Sequence, residues 1–115
     1  MVELINSNIK VITGYLLMPK VRVRVRVFGV VQGVGFRFFT KRIADELGIE
    51  GYVMNLDDGS VEIVAEGEEK VINKFLEYVS RGPPGAVVED MKVEYEEPKG
   101  EFKGFRIIYR YWGYW

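Results

Sequence analysis

An α+β sandwich with the element order β-α-β-β-α-β and one short further strand is what the sequence predicts, and three observations predict it. Residues 21–27 alternate strictly between valine and arginine. Two stretches, 36–47 and about 68–79, repeat apolar residues at helical spacing. Between them, Asp57-Asp58-Gly59 interrupts two extended runs as a hairpin turn does.

Taken in order, Val21, Val23, Val25 and Val27 form one face of a strand and Arg22, Arg24 and Arg26 the other, one buried and one wet. The first helix carries Phe36, Phe39, Ile43 and Leu47 on its apolar side and stops at Gly48, which suits a left-handed terminus. Ile49 to Leu56 reads as a strand, with Ser60 to Ala65 its hairpin partner. The second helix, Glu68 to Val79, lines up Val71, Ile72, Phe75, Leu76 and Val79, and Gly82-Pro83-Pro84-Gly85 ends it. Val87 to Glu96 is a fourth strand marked by Val88, Met91, Val93 and Tyr95, and Phe105 to Tyr109 a short fifth. This is the split βαβ, ferredoxin-like arrangement. Both helices are expected on one face of an antiparallel sheet, with the arginine face toward water and paired with Glu62 or Glu94. Residues 1–17 read as an N-terminal extension, Met18 as an alternative start, and 18–115 as the domain. The aromatic tail Tyr109-Arg110-Tyr111-Trp112-Gly113-Tyr114-Trp115 reads as a strand extension packing on its own domain, with a contact between chains as the alternative to a monomer.

Composition narrows the chemistry. The 115 residues suffice for one modest core. Net charge is −1 and the pI about 5.6, so overall charge invites neither nucleic acid nor an anionic membrane. The distribution is uneven: Lys20 to Arg42 holds seven basic residues and no acidic one, and Ile43 to Glu69 nine acidic and no basic. Cysteine and histidine are absent, which removes disulfides, thiolate nucleophiles, histidine bases and the usual zinc ligands. Absence of cysteine fits a cytoplasmic setting, and a single Gln with four Asn fits a thermophilic source. No run approaches the roughly 20 apolar residues of a membrane span. Val11 to Met18 is followed by Pro19-Lys20 rather than a small-residue cleavage site, which speaks against secretion.

The most informative segment is 27–37, where a strand gives way to a turn with Gly29, Gly33 and Gly35 and then a helix with Arg37 in its first turn. Glycines let backbone N–H groups converge on one point, and a helix N-terminus favours negative charge there. Arg37 adds a two-pronged donor matched to a phosphoryl group. Charge order on this helix supports a phosphate cradle: Arg37, Lys41 and Arg42 come first and Asp45 and Glu46 last, against the macrodipole. The second helix opens with Glu68 and Glu69 and closes near Arg81, as the dipole prefers. A local rule broken in one helix of two marks a functional site.

The run Phe28-Gly29-x-Val31-Gln32-Gly33-Val34-Gly35-Phe36-Arg37 resembles the first acylphosphatase signature. Gly51-Tyr52-Val53-x-Asn55-x-x-Asp58-Gly59-x-Val61 resembles the second, and Gly82-Pro83-Pro84 is also usual in that family. The resemblance spans about residues 20–109. It implies the ferredoxin-like fold and metal-independent, cofactor-free hydrolysis of acyl phosphates to carboxylate and inorganic phosphate. By position it makes Arg37 the phosphate-binding arginine and Asn55 the water-positioning asparagine. Val31, Gln32, Gly33, Val34, Gly35 and Phe36 become the loop that binds substrate through backbone N–H groups.

The residues agree with this on chemical grounds. With no evident nucleophile or strong base, the substrate must be one needing little proton transfer, and a mixed anhydride loses a carboxylate of pKa roughly 4 to 5 without protonation. On residue type alone, Asn55 reads as a cap on the adjoining hairpin rather than as the holder of a water, a preference the resemblance reverses, and Gln32 braces the loop rather than touching substrate. Asp57 and Asp58 read as turn residues rather than Mg²⁺ ligands. The rival from another class is an RNA-binding module using the Arg22, Arg24 and Arg26 face, but such modules display aromatics where these arginines stand. A segment of a larger carbamoyl-transfer maturation enzyme is a further alternative, although its cysteine zinc motifs are missing.

Overall fold

The computed structural model describes residues 19–109 in full and, before them, the backbone of residues 2–6, 9–12 and 15–17. Those three pieces are β1 (Val2–Asn6), β2 (Ile9–Ile12) and β3 (Tyr15–Leu17), an antiparallel sheet of their own where sequence reasoning assigned no element. The alternative start at Met18 and the tail residues 110–115 lie outside the described residues.

The remaining elements are β4 (Lys20–Val30), α1 (Phe36–Leu47), β5 (Glu50–Asn55), β6 (Val61–Glu68), α2 (Glu69–Arg81), β7 (Val87–Glu96) and β8 (Phe105–Ile108). They form a five-stranded sheet in the order β7-β4-β6-β5-β8. Val23, Val25 and Val27 on β4 are fully buried together with Val53, Val61, Ile63 and Ala65, and α1 and α2 close this face with Phe36, Ile43, Ile72, Phe75 and Val79. The expected α+β sandwich is present, ferredoxin-like in its order of elements.

The sheet is mixed rather than wholly antiparallel, because β8 runs parallel to β5. Strand parity explains this. β7 opposes β4, and β4 and β5 both oppose β6, so β4 and β5 share a direction. A chain turning back from β7 must therefore run with β5, and residues 97–104 carry it from one sheet edge to the other.

That crossover also changes the arginine face. Arg22 was expected toward water but is only 4% exposed. Its guanidinium donates to Glu66 at 2.9 Å, Glu96 at 3.0 Å and Glu101 at 2.7 Å, with the Phe102 ring 5.2 Å away. Glu66 also accepts the backbone N–H groups of Lys99 and Gly100, clipping the crossover to the sheet. Arg24 pairs with Glu96 and with the expected Glu62, and Arg26 with Asp58. Glu94 lies opposite Arg24 in register, but Glu96 takes the ion pair.

The acid limb of stability follows from these carboxylates. Burial works to raise the Glu66 pKa, but the N–H groups of Lys99 and Gly100 and the Arg22 guanidinium together hold it below its ordinary value. Arg24 and Arg22 lower Glu96, and Ser60 and Arg26 lower Asp58 to about 2. Depressed carboxylates bind fewer protons folded than unfolded, so their stabilisation is present above the unfolded pKa and lost as pH falls through the folded one. With no histidine to titrate, the thermal midpoint is expected to stay level from about pH 5 to 8 and to fall steadily below about pH 4.5. A midpoint that drops between pH 8 and 6 would contradict this assignment.

One strand departs from simple alternation for a visible reason. Val88 and Met91 are three residues apart, yet both pack on the core. Pairing shifts from Phe28↔Asp90 to Gly29↔Val88, leaving Glu89 as a bulge. At that shift Gly29 has φ 126° and a Cβ would stand 2.1 Å from the Val87 carbonyl oxygen, so only glycine fits. Gly29 thus serves the strand, and the turn proper keeps Gly33 and Gly35.

Candidate active site

β4, β5 and β8 share a direction, so their C-terminal ends meet at one end of the sheet. Val27 pairs with Val61, which also pairs with Asn55, and Met54 pairs with Ile108. Asn55 therefore closes a row of residues just below the turn that leaves β4. It sits two residues beyond Val53, which is buried under the helices, so alternation places its side chain on the helix-covered face at the rim.

The turn 31–35 is anchored below by Val31 and Phe36, both about 1% exposed. Gly33 and Gly35 each have φ 77°, a left-handed backbone that other residues resist. A Cβ on either would meet nothing within 4 Å, so the space above the turn is open. Gly35 is also the N-cap of α1, and no side chain caps that terminus. Its first N–H groups keep their capacity to bind an anion. No acidic residue stands in the first turn of α1 and no basic one in its last, whereas α2 has Glu69 and Arg81 in the places the dipole favours.

Arg37 leaves this first turn half-buried, its guanidinium carbon 5.0 Å from the centroid of the Tyr109 ring. Tyr109 directly follows β8, which Lys41 ties to α1 by donating to the Phe105 carbonyl at 2.9 Å. The sequence did not single out Tyr109 as a site residue. The contact depends on β8 reaching the edge beside β5, which no local pattern announces.

Asn55 carries an unsatisfied atom. Its Oδ1 is buried and has no hydrogen-bond partner. A neutral amide oxygen stripped of water costs about 1–3 kcal/mol, so an orphan of this kind calls for an explanation. In the adjoining hairpin the side-chain cap comes from another residue. Asp58 does the capping, accepting from the backbone N–H and the hydroxyl of Ser60.

Gln32 faces the hairpin, not the open space. Its Nε2 donates to the carbonyl oxygens of Leu56 at 2.8 Å and Ser60 at 2.9 Å, which is the bracing expected of its side chain. Turn 31–35, the first turn of α1, the end of β5 and the hairpin are thus neighbours. Around them Phe38 and Tyr109 are 62% and 55% exposed.

Residues 23–107 match the family model described as Acylphosphatase. The chain belongs to the acylphosphatase family. It is 55% identical over 86 residues to an acylphosphatase from Thermotoga petrophila, covering 75% of this chain and 94% of that relative. It superimposes on the crystal structure of acylphosphatase from Bacillus subtilis with a TM-score of 0.75 at 42% identity, covering 77% of this chain and 99% of the other. Full-length HypF is similar too, with a TM-score of 0.69 at 33% identity, but the match takes up 12% of that longer chain. The acylphosphatase match contains Arg37, Asn55 and the whole glycine turn, and Tyr109 stands just past its end.

On the opposite sheet face the arginines are ion-paired. Arg22, Arg24 and Arg26 each pair with carboxylates of the same sheet, its crossover or the β5–β6 hairpin. Of the aromatics on that face, Tyr52 donates its hydroxyl to Glu62 at 2.9 Å, Phe102 packs against Arg22, and Phe28 lies beside Arg26 and Lys92. No cluster of three or more acidic side chains able to hold a metal occurs among the described residues. Nor is any of their helices long and apolar enough to cross a membrane.

Proposed function

We propose that this acylphosphatase hydrolyses mixed carboxylic-phosphoric anhydrides by direct in-line attack of water, without a metal ion. The buried, unpartnered Asn55 Oδ1 beside the glycine turn carries the proposal. In this reading the N–H groups of residues 31–36 and the Arg37 fork hold the three phosphoryl oxygens. Asn55 holds the attacking water, its Oδ1 accepting one water proton so that a lone pair faces phosphorus. The water oxygen bonds to phosphorus as the bond from phosphorus to the acyl oxygen breaks. The electron pair leaves on the carboxylate, and the water's proton passes to the phosphate product.

Energetics favour this division of labour. Phosphoryl transfer depends chiefly on positioning and charge stabilisation, which fixed amides and one guanidinium supply. The leaving carboxylate, with pKa roughly 4 to 5, needs no proton in the transition state. The absence of histidine and cysteine is therefore no handicap. Of the basic residues across 20–42, Arg22, Arg24 and Arg26 are ion-paired on the opposite sheet face, so the local field at the turn comes from the bases of α1, Arg37 foremost.

Hydrolysis of an aryl acyl phosphate with and without excess EDTA tests the reading. The rate is expected to be the same in both. A large loss in EDTA that Mg²⁺ restores would overturn the mechanism and assign ligand roles to Asp57 and Asp58. Short single-stranded RNA, added at physiological salt, is expected to leave the rate unchanged.

A further inference from the structure

We infer that Gln32 is a positioning residue that locks the water-holding half of the site to the phosphate-holding half. The inference rests on the function proposed above and concerns how its two halves are kept in register. The phosphate cradle belongs to the connection between β4 and α1, whereas Asn55 belongs to β5, and in the sheet β6 lies between those two strands. Nothing in the strand ladder fixes the turn 31–35 against the end of β5.

Gln32 makes that connection, and its chemistry suits the task. Both partners of its amide are carbonyl oxygens, so only the NH₂ end fits and both of its protons are used. One partner is the carbonyl of Leu56, the residue next to Asn55. The other is the carbonyl of Ser60, which also accepts the N–H of Leu56 at 2.9 Å. The two bonds thus restrain the peptide groups on either side of Leu56, and with them the backbone from which the Asn55 side chain departs. From the other side Arg26 holds the same hairpin, donating to the Ser60 hydroxyl and to Asp58, both at 2.8 Å. With its side chain spent on the hairpin, Gln32 offers the phosphate only its backbone N–H. Its side chain serves attack on the phosphoryl group rather than affinity for it.

The experiment is a double-mutant cycle of Gln32→Met, which keeps length and removes both donors, with Asn55→Ala. kcat and KM are measured for an aryl acyl phosphate, together with inhibition by inorganic phosphate. Misplacing a reacting group by a fraction of an ångström to an ångström costs on the order of 10- to 100-fold. Gln32→Met is expected to lower kcat about tenfold or more, while the phosphate inhibition constant stays within about threefold. That retained phosphate binding also shows the variant to be folded. On the Asn55→Ala background the same substitution is expected to cost less than about twofold, because the group it positions is gone. Gln32→Glu, isosteric but without the donors, is expected to repeat the kcat loss. The proposal is overturned if the two losses multiply in the double variant, if the phosphate constant rises as much as kcat falls, or if Gln32→Met keeps wild-type kcat. An Asn55→Ala enzyme with full turnover would instead remove the underlying mechanism, whatever Gln32→Met does.

Discussion

Asn55→Ala is expected to lower kcat by about 10²-fold or more, the loss typical when one preorganised polar group is taken from a reacting centre. Inorganic phosphate should still inhibit competitively with little change, because the cradle amides and Arg37 are untouched. The stability of the variant separates this role from a structural one. An asparagine retained for folding would have both ends of its amide satisfied, and its removal would destabilise. Here Oδ1 has no hydrogen-bond partner within the protein, so alanine breaks no intramolecular bond of that oxygen and the thermal midpoint should stay close to the parent's. Turnover near wild type, or a clear drop in the midpoint with kcat preserved, would return Asn55 to a hairpin role. Stopped assays in the presence of phosphate and a thermal melt of the same sample decide it.

What the sequence made legible follows the range of the interactions concerned. The valine alternation over 21–27, the two helical stripes and the Asp57-Asp58-Gly59 turn are local, and all four stand where residue spacing puts them. The local shape of the candidate site was legible for the same reason: Gly33, Gly35 and Arg37 lie within five residues, and their conformation depends on φ and on a helix start rather than on distant partners. Features set by long connections were hidden. The direction of β8, the burial of Arg22 under residues 97–104 and the stacking of Tyr109 on Arg37 all depend on one crossover of the sheet. The three-residue spacing of Val88 and Met91 breaks strand alternation, and the Glu89 bulge gives the extra residue a place. The switch of partner from Glu94 to Glu96 has the same character. In register both glutamates are close to the arginines, and side-chain reach decides between them.

Arg37→Lys is expected to have the largest effect of any single conservative substitution in this chain. The argument turns on shape rather than charge. A guanidinium presents a planar fork that meets two phosphoryl oxygens at once, whereas an ammonium is a compact, strongly hydrated point charge on a flexible stem. Tyr109 sharpens the difference. Its ring lies 5.0 Å from the Arg37 guanidinium carbon and supports the flat group from one side, a restraint that a lysine head does not accept in the same way. Loss of one preorganised donor costs on the order of 10²–10³ in rate, and Arg37→Lys should fall in or beyond that range, with weaker inhibition by phosphate as well. Folding should be nearly indifferent. The lost stacking, worth about 0.5–1 kcal/mol at an exposed site, is offset in Arg37→Ala by removal of a cation from the positive end of α1, worth about 0.3–1 kcal/mol. Both variants should therefore melt within a few degrees of the parent while losing most of their turnover. An Arg37→Lys enzyme within a few-fold of wild type would show that charge alone suffices, and the fork would have no special part in holding the phosphoryl group.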